Sequence, residues 1–195
     1  ITLMPLQTGG VLTEAAKKAL IEIGDGYSVC DFCVGNLGAI TNPPVREFVH
    51  ELLPEFLGCE VATVTHGARE SKFAIMHSLA KPGDSIIVDG NRHYTTIVAA
   101  ERVGLKVIEV SSSGYPEFII DVNEYEPLIE KYHPRMILLT YPDGNYGNIP
   151  DARRLGEIAQ KYNVPFILNG AYAVGRMPVN MNELGAGFVV GSGHK

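Results

Sequence analysis

From residue 61 onward, short apolar runs alternate with stretches whose apolar residues recur at helical spacing, and this alternation dominates the pattern of the chain. Strands are predicted at Val61–Thr65, Ser85–Asp89, Leu105–Val110, Met136–Tyr141, Val164–Leu168 and Phe188–Val190. Between them, helices are predicted from Ala68, over Thr95–Arg102, Val122–Tyr132 and Ala152–Tyr162, with Lys81-Pro82-Gly83-Asp84 as the turn into the second strand. Such alternation implies an α/β fold in three αβα layers, a mostly parallel sheet with helices on both faces. The first 60 residues read differently. Thr13 caps a predicted helix over Glu14–Ile23 with Ala16, Ala19, Leu20 and Ile23 on one face, and Gly24-Asp25-Gly26 ends it. A second helix is predicted from Pro43 to Leu57, capped by Asn42 and bent or broken at Pro54. Tyr27–Ile40 has no sustained period and is expected to be a loop.

In open α/β sheets ligands bind outside the carboxyl ends of the strands, so the chemistry is sought just after each apolar run. After the first come Gly67, Ala68 and Arg69 at a helix start. Small residues, free N–H groups and a guanidinium there suit a phosphate, although ordinary helix starts also carry such residues. After the second comes His93, able to stack on a planar ring or merely to sit on a surface loop. After Met136–Tyr141 a dense polar turn presents Asn145, and after Val164–Leu168 comes Asn169-Gly170-Ala171-Tyr172. The last apolar run leads into Gly191-Ser192-Gly193-His194-Lys195, where the lysine is either an active-site amine or a solvated tail.

Composition narrows the picture. With 195 residues, 46% hydrophobic and 19% charged, the chain has enough apolar residues for one sizeable core. A net charge of −6 argues against a surface that is basic throughout, while leaving room for a local basic patch. No apolar run approaches the roughly 20 residues that span a bilayer, and Ile1 opens no basic-then-apolar leader. The expectation is a cytoplasmic protein with no membrane partner. Three cysteines, Cys30, Cys33 and Cys59, are too few for a disulfide scaffold. Cys30 and Cys33 form a CxxC pair that can be a redox couple, half of a zinc site, iron–sulfur ligands or simple packing, and no second CxxC completes a zinc site. Cys59, beside a predicted strand, is expected in the core.

The order of these features, phosphate cup, ring-stacking histidine, Asn turn, Asn-Gly-Ala-Tyr and terminal lysine, resembles the large domain of the fold-type-I pyridoxal-phosphate enzymes. The strings PLQTGG (5–10), GDGYSVCDFC (24–33), VTHGARE (64–70), TYPDGNYGN (140–148), NGAYAVGRMPV (169–179) and GSGHK (191–195) are similar to one branch, the O-phosphoseryl-tRNA:cysteinyl-tRNA synthases. The resemblance implies pyridoxal 5'-phosphate as cofactor and Lys195 as its Schiff-base lysine. It implies Gly67, Ala68, Arg69, Ser192 and His194 around the cofactor phosphate, with His93 stacked on the ring and Ala171 on the opposite face. Asn145 would bond the ring hydroxyl and Asn169 the ring nitrogen. The implied reaction is a β-replacement that turns phosphoseryl-tRNA(Cys) into cysteinyl-tRNA(Cys), releasing phosphate, with Lys195 as general base and Cys30 and Cys33 handling sulfur as a persulfide, a disulfide or around an iron–sulfur cluster.

The resemblance also implies an archaeal enzyme of tRNA-dependent cysteine and protein biosynthesis. Its partners would be a sulfur donor, a second copy in a homodimer and the phosphoseryl-tRNA synthetase. Two departures stand out. Most fold-type-I enzymes set an aspartate against the ring nitrogen, whereas Asn169 stands here, so the electron sink should be milder. Family members also continue well past the lysine, so residues 1–60 are expected as an N-terminal helical segment with the CxxC loop, and 61–195 as a large domain that is incomplete, with the small domain outside this chain. Such a fragment would have little activity. The alternatives are a cysteine desulfurase-like sulfur enzyme and a non-catalytic α/β binding module with a structural CxxC.

Overall fold

A computed structural model describes residues 11–24 and 47–193, and the chain divides after Thr63 into two compact units. In the first unit, α1 spans Glu14–Gly24. Thr13 Oγ1 accepts from the Ala16 N–H at 3.2 Å, and Lys17 pairs with Glu14 at 2.6 Å. A π-helical turn, Phe48–Leu52, runs directly into α2, Leu53–Leu57. Proline has no N–H to donate and crowds the carbonyl four residues back, and the wide turn just before Pro54 gives its ring room without ending the helix. Gly58, at φ +60°, closes α2. Cys59 is only half-buried, its Sγ 3.5 Å from the Val61 carbonyl, and so is not the core residue expected.

The expected strand Val61–Thr65 does not form. No strand among the described residues hydrogen-bonds to it, and Val61 and Val64 are 80% and 57% exposed. An apolar run becomes a strand only when a neighbouring backbone takes up its N–H and C=O groups.

The second unit, Val64–Gly193, holds α3 (Ala68–Leu79), β1 (Ser85–Asp89), α4 (Tyr94–Val103), β2 (Lys106–Val110), α5 (Tyr125–Tyr132), β3 (Met136–Thr140), α6 (Ala152–Lys161), β4 (Phe166–Asn169), α7 (Met181–Leu184) and β5 (Phe188–Val190). The strands form one parallel sheet in the order β2-β1-β3-β4-β5. The expected Val122–Tyr132 helix starts as a 3-10 turn, Val122–Glu124, capped by Asp121, before α5 proper. The short α7, capped by Asn180, has no counterpart in the apolar pattern.

Every residue of β3 is buried, as befits the middle strand of a sheet covered on both faces. On one face Ile86, Val88, Met136, Leu138, Ile167 and Val190 pack with Met76 of α3 and Ala99, Ala100 and Val103 of α4. Alternation sends Ile87, Ile137, Leu139 and Leu168 to the other face, where α5 and α6 supply buried Tyr125, Ile129, Leu155 and Ile158. Tyr125 spans the gap, its hydroxyl donating to the Leu138 carbonyl at 2.7 Å. Helix α6 approaches α7 so closely that a Cβ on Gly156 would lie 2.1 Å from the Leu184 carbonyl oxygen.

Candidate active site

The sheet order reverses direction between β1 and β3: β2 lies outside β1, while β4 and β5 extend on the far side of β3. The loops that leave β1 and β3 therefore diverge, and the carboxyl edge opens a crevice there. Its floor is made of the last residues of three adjacent strands, Asp89, Thr140 and Asn169, all buried. Asp89 Oδ2 accepts from the Thr140 N–H at 2.8 Å, tying β1 to β3. Thr140 and Asn169 are register partners on one face of the sheet, so their side chains stand side by side.

Among the described residues, four buried side-chain atoms lack a hydrogen-bond partner: Asp89 Oδ1, Arg92 Nε, Thr140 Oγ1 and Asn169 Oδ1. All four lie at, or three residues beyond, the carboxyl ends of β1, β3 and β4. Buried polar groups left unpaired are costly and rare, so their concentration at one edge marks a place shaped for a polar ligand. Burial drives the Asp89 carboxyl up to about 6, against the lowering effects of the nearby Thr140 side chain and N–H, of the Asp89 backbone itself and of Arg92. Arg92 donates to the Asp89 carbonyl at 3.1 Å and also pairs with Glu109.

Two helix starts overlook the floor. Gly67, the N-cap of α3, sits at φ +128° with no side-chain cap, and a Cβ there would meet nothing within 4 Å, so the first turn faces open space. Arg69 leans away from that turn to donate to the Tyr94 hydroxyl at 2.8 Å, its guanidinium 5.6 Å from the Tyr94 ring centre. His93 is the N-cap of α4, its Nδ1 accepting from the Thr95 N–H at 3.3 Å, and its ring lies 4.5 Å from that of Tyr94. Beneath them Lys72 is 1% exposed, donating to Thr95 and Thr96 hydroxyls at 2.7 and 3.1 Å. Burial lowers its ammonium to about 8, with Asp89 opposing that shift and Arg69 adding to it.

The loop after β3 is built around buried Asp143, whose two carboxylate oxygens accept from the N–H groups of Asn145, Tyr146, Gly147 and Asn148 at 2.6 to 3.3 Å. That nest fixes Asn145, whose amide donates to the Asn91 carbonyl at 3.3 Å and so joins the loops after β1 and β3. Asn91 in turn donates to Asp143 at 3.3 Å and to the Phe118 carbonyl at 2.7 Å. Beyond Asn169, the turn through Gly170 and Ala171 buries Tyr172, whose ring covers Gly144 so closely that a Cβ there would lie 2.3 Å from it.

The structure thus places Gly67, Ala68, Arg69 and His93 at the starts of α3 and α4, Asn169 as the last residue of β4, and Asn145, Ala171 and Ser192 in the loops that follow β3, β4 and β5. Arg69 and His93 are joined through Tyr94, and Asn145 is joined to the β1 loop through Asn91. Cys30, Cys33, His194 and Lys195 lie outside the described residues. Among the described residues, no group of three His, Cys, Asp or Glu could hold a metal ion. Sequence reasoning passed over Lys72, Asp89, Asn91, Tyr94, Thr140 and Asp143. For Asp89 the signal was present, a carboxylate closing an apolar strand; for Lys72, an ordinary helical lysine by pattern, there was none.

Residues 36–195 match the family described as O-phosphoseryl-tRNA(Sec) selenium transferase, SepSecS. An O-phospho-L-seryl-tRNA:Cys-tRNA synthase of Methanosarcina acetivorans is 58% identical over 201 residues, covering all of this chain and 52% of the relative. The crystal structure of a complex between SepCysS and the N-terminal domain of SepCysE superposes with a TM-score of 0.88 at 47% identity, covering 100% of this chain and 52% of that one. The cysteine desulfurase CsdA of Escherichia coli, at 21% identity, superposes with a TM-score of 0.72 over 95% of this chain and 49% of its own, a likeness of fold. The fold is that of the large domain of fold-type-I pyridoxal-phosphate enzymes, and the chain spans about half the length of the curated relatives it matches.

Proposed function

The chain belongs to the O-phosphoseryl-tRNA(Sec) selenium transferase, SepSecS, family, and from that premise we propose that its protein is a pyridoxal-phosphate-dependent transferase converting O-phosphoseryl-tRNA(Cys) into cysteinyl-tRNA(Cys). Identity of 58% to a relative named for the cysteine reaction favours sulfur over selenium as the incoming atom. The observation that carries the reading is the pair of unpartnered oxygens on Thr140 and Asn169, side by side beneath the uncapped start of α3.

The residues present fit the cofactor. Asn169 Oδ1, buried without a donor, suits a ring N–H, and the open first turn at Gly67, Ala68 and Arg69, with Ser192 and His194, suits the phosphate. His93 and Ala171 would flank the ring, Asn145 would meet its hydroxyl, and Lys195 would hold the group covalently. When bound, pyridoxal phosphate supplies an electron sink for charge that develops at the substrate α-carbon. Released from the cofactor by the substrate amine, Lys195 would take the α-proton as general base, phosphate would leave the β-carbon, sulfur would form the new bond there, and the proton would return to the α-carbon. Asn169 accepts a hydrogen bond without bringing a negative charge, so it orients the ring while keeping the sink mild. An ester-activated α-proton and a phosphate leaving group make that sufficient.

Cys30 and Cys33 handle the sulfur, as a persulfide or disulfide or around an iron–sulfur cluster; delivery from a persulfide on one leaves a Cys30–Cys33 disulfide, the second thiol supplying the two electrons that release the product thiol. The protein acts in the cytoplasm as a homodimer and meets the phosphoseryl-tRNA synthetase, with residues 1–60 forming the CxxC segment and 61–195 the first part of the large domain. The test is sulfide-dependent formation of cysteinyl-tRNA from phosphoseryl-tRNA by the full-length protein. A protein that carries the cofactor, with visible absorbance abolished by Lys195→Ala, yet forms no cysteinyl-tRNA would overturn the assignment.

A further inference from the structure

Two segments at the carboxyl edge, 111–121 after β2 and 141–150 after β3, carry a stack of aromatic rings. Phe118 lies 4.0 Å from Tyr146, ring centre to ring centre, with the planes 6° apart, and Tyr115 meets Phe118 edge-on at 6.3 Å. Phe118 is held there at φ +52°, in the left-handed region that a residue with a Cβ rarely enters. Its carbonyl accepts from Asn91 Nδ2 at 2.7 Å and from Asn148 Nδ2 at 3.1 Å, and its N–H donates to the Gly114 carbonyl at 2.8 Å. Strain of this kind persists only where the surrounding bonds over-determine it, and what these bonds fix is the pose of one ring flat against another. Tyr146 is fixed from its own side, its N–H donating to buried Asp143 at 2.6 Å. The stack has a closed end and an open one: Phe118 is half-buried, whereas Tyr146 is 50% exposed with one ring face already covered.

Charge and position say what the open face suits. Neither segment contains a lysine or an arginine, and Glu117 is exposed beside the stack, so nothing in these loops attracts a phosphodiester. A flat, uncharged ring face framed by amides suits a nucleobase instead. Asn91, which holds Phe118, also accepts from the Asn145 amide, so the stack stands at the mouth of the crevice. On the function proposed above, from which this inference proceeds, the phosphoseryl group reaches the crevice as an ester of the terminal ribose of its RNA. The base on that ribose must come to rest beside the mouth, out of its own strand's stack and in need of another. We propose that Tyr146, backed by Phe118, stacks on the unpaired 3'-terminal base of the aminoacyl-tRNA and so holds the ester in register with the crevice. Stacking engages a ring face and leaves base edges unread, so this contact grips the end of the RNA and takes no part in choosing which tRNA is bound.

The test measures the affinity of the full-length protein, with its cofactor, for two deacylated RNAs: tRNA(Cys), and the same tRNA whose terminal ribose carries no base. Wild type should bind the intact tRNA about 5- to 150-fold more tightly than the abasic one, the range expected for one stacked base. Tyr146→Leu, apolar but without a ring, should weaken binding of the intact tRNA by a similar factor and bind both RNAs equally. Tyr146→Phe should keep the wild-type difference, and Phe118→Leu should narrow it. If Phe118→Leu does not fold, the two variants at half-exposed Tyr146 decide. Equal binding of both RNAs by wild type overturns the proposal, as does a Tyr146→Leu protein that still prefers the intact tRNA. A Tyr146→Leu protein that falls apart into smaller species on sedimentation would mark the ring as a contact between copies of the chain, and overturns it too. A wild type that binds neither RNA would remove the proposed function together with this inference, whereas equal binding of both leaves that function standing.

Discussion

Asp89→Asn should make the stability of this protein less sensitive to pH, in a direction fixed by burial. The wild-type carboxyl is 1% exposed, has one oxygen bonded to the Thr140 N–H and one unpartnered, and is raised from its ordinary 3.8 to about 6, chiefly by desolvation. A folded-state value above the unfolded one means that the native state holds a proton the unfolded chain has already lost. The group therefore costs nothing below the unfolded value, and its full cost, about 3 kcal/mol, is present once pH has risen through about 6. Lys72 sits at about 8 with Asp89 opposing its lowering, so the same comparison is made in a Lys72→Met background, where that coupling is absent. Asparagine keeps an oxygen for the Thr140 N–H and removes the titration. Urea unfolding of wild type and variant, each as full-length apoprotein, should show the difference between them moving in the variant's favour by about 2.5 kcal/mol from about pH 4 to about pH 7.5. A difference flat across that range would mean that the carboxylate is solvated or paired in solution, and the account of the crevice floor would fail with it.

Thr140→Val removes a buried hydroxyl that meets no partner at hydrogen-bonding geometry, although it lies close enough to Asp89 to help hold that carboxyl down. The apoprotein should be unchanged or up to about 1 kcal/mol more stable in urea, while cofactor affinity, read by titration of visible absorbance, should fall. Gly156→Ala forces a Cβ to within 2.1 Å of the Leu184 carbonyl and should cost about 1–3 kcal/mol by parting α6 from α7, far from the crevice, so cofactor affinity should hold while the urea midpoint drops. Gly67→Ala has room for its methyl group but not the backbone, at φ +128°; an expected cost of about 1–3 kcal/mol should come with weakened phosphate binding, measured as inorganic phosphate competition with the cofactor. Asn169→Asp puts a charge at the end of β4, and a gain in elimination rate without new side reactions would contradict the idea that a mild sink suits this substrate.

The parts of the fold legible in the sequence are those whose signal is local. Met136–Thr140 and Ser85–Asp89 are continuous apolar runs because both faces of a parallel strand are buried, and their ends fall within a residue of the pattern. Val61–Thr65 has the same signature and no strand, because pairing is a property of two backbones and the sequence displays one. The short α7 rests on its Asn180 cap and on the close approach of Gly156, a contact 28 residues away that leaves no periodic trace. Motif wording brought Gly67, Arg69, His93, Asn145 and Asn169 forward, but the groups beneath them had no such voice. Thr140 matters through its register with Asn169, and Lys72 through being buried where helical periodicity alone would leave it solvated.

That hidden layer explains how the visible one keeps its shape. A site that binds an anionic group must hold cations and free N–H groups in place before the ligand arrives, when nothing opposes their repulsion. Here each exposed element of the crevice is secured by a buried one. The Asn145 turn winds on Asp143, the start of α4 rests on Lys72 through Thr95 and Thr96, and β1 is pinned to β3 by Asp89. Two of these anchors are themselves ionisable groups displaced by burial, in opposite senses, toward neutral pH, so they carry desolvation cost that apolar residues would not. The opposite edge of the sheet, where β3 and β4 begin, is lined by polar Arg135, Gln160 and Asn163 as well as by Pro134, Pro165 and Phe166, and no unpartnered buried side-chain atom among the described residues lies there. Instability is thus concentrated at the carboxyl edge, in the few groups whose pairing a bound ligand would complete, and that is the distribution expected when stability has been given up for preorganisation rather than lost at random.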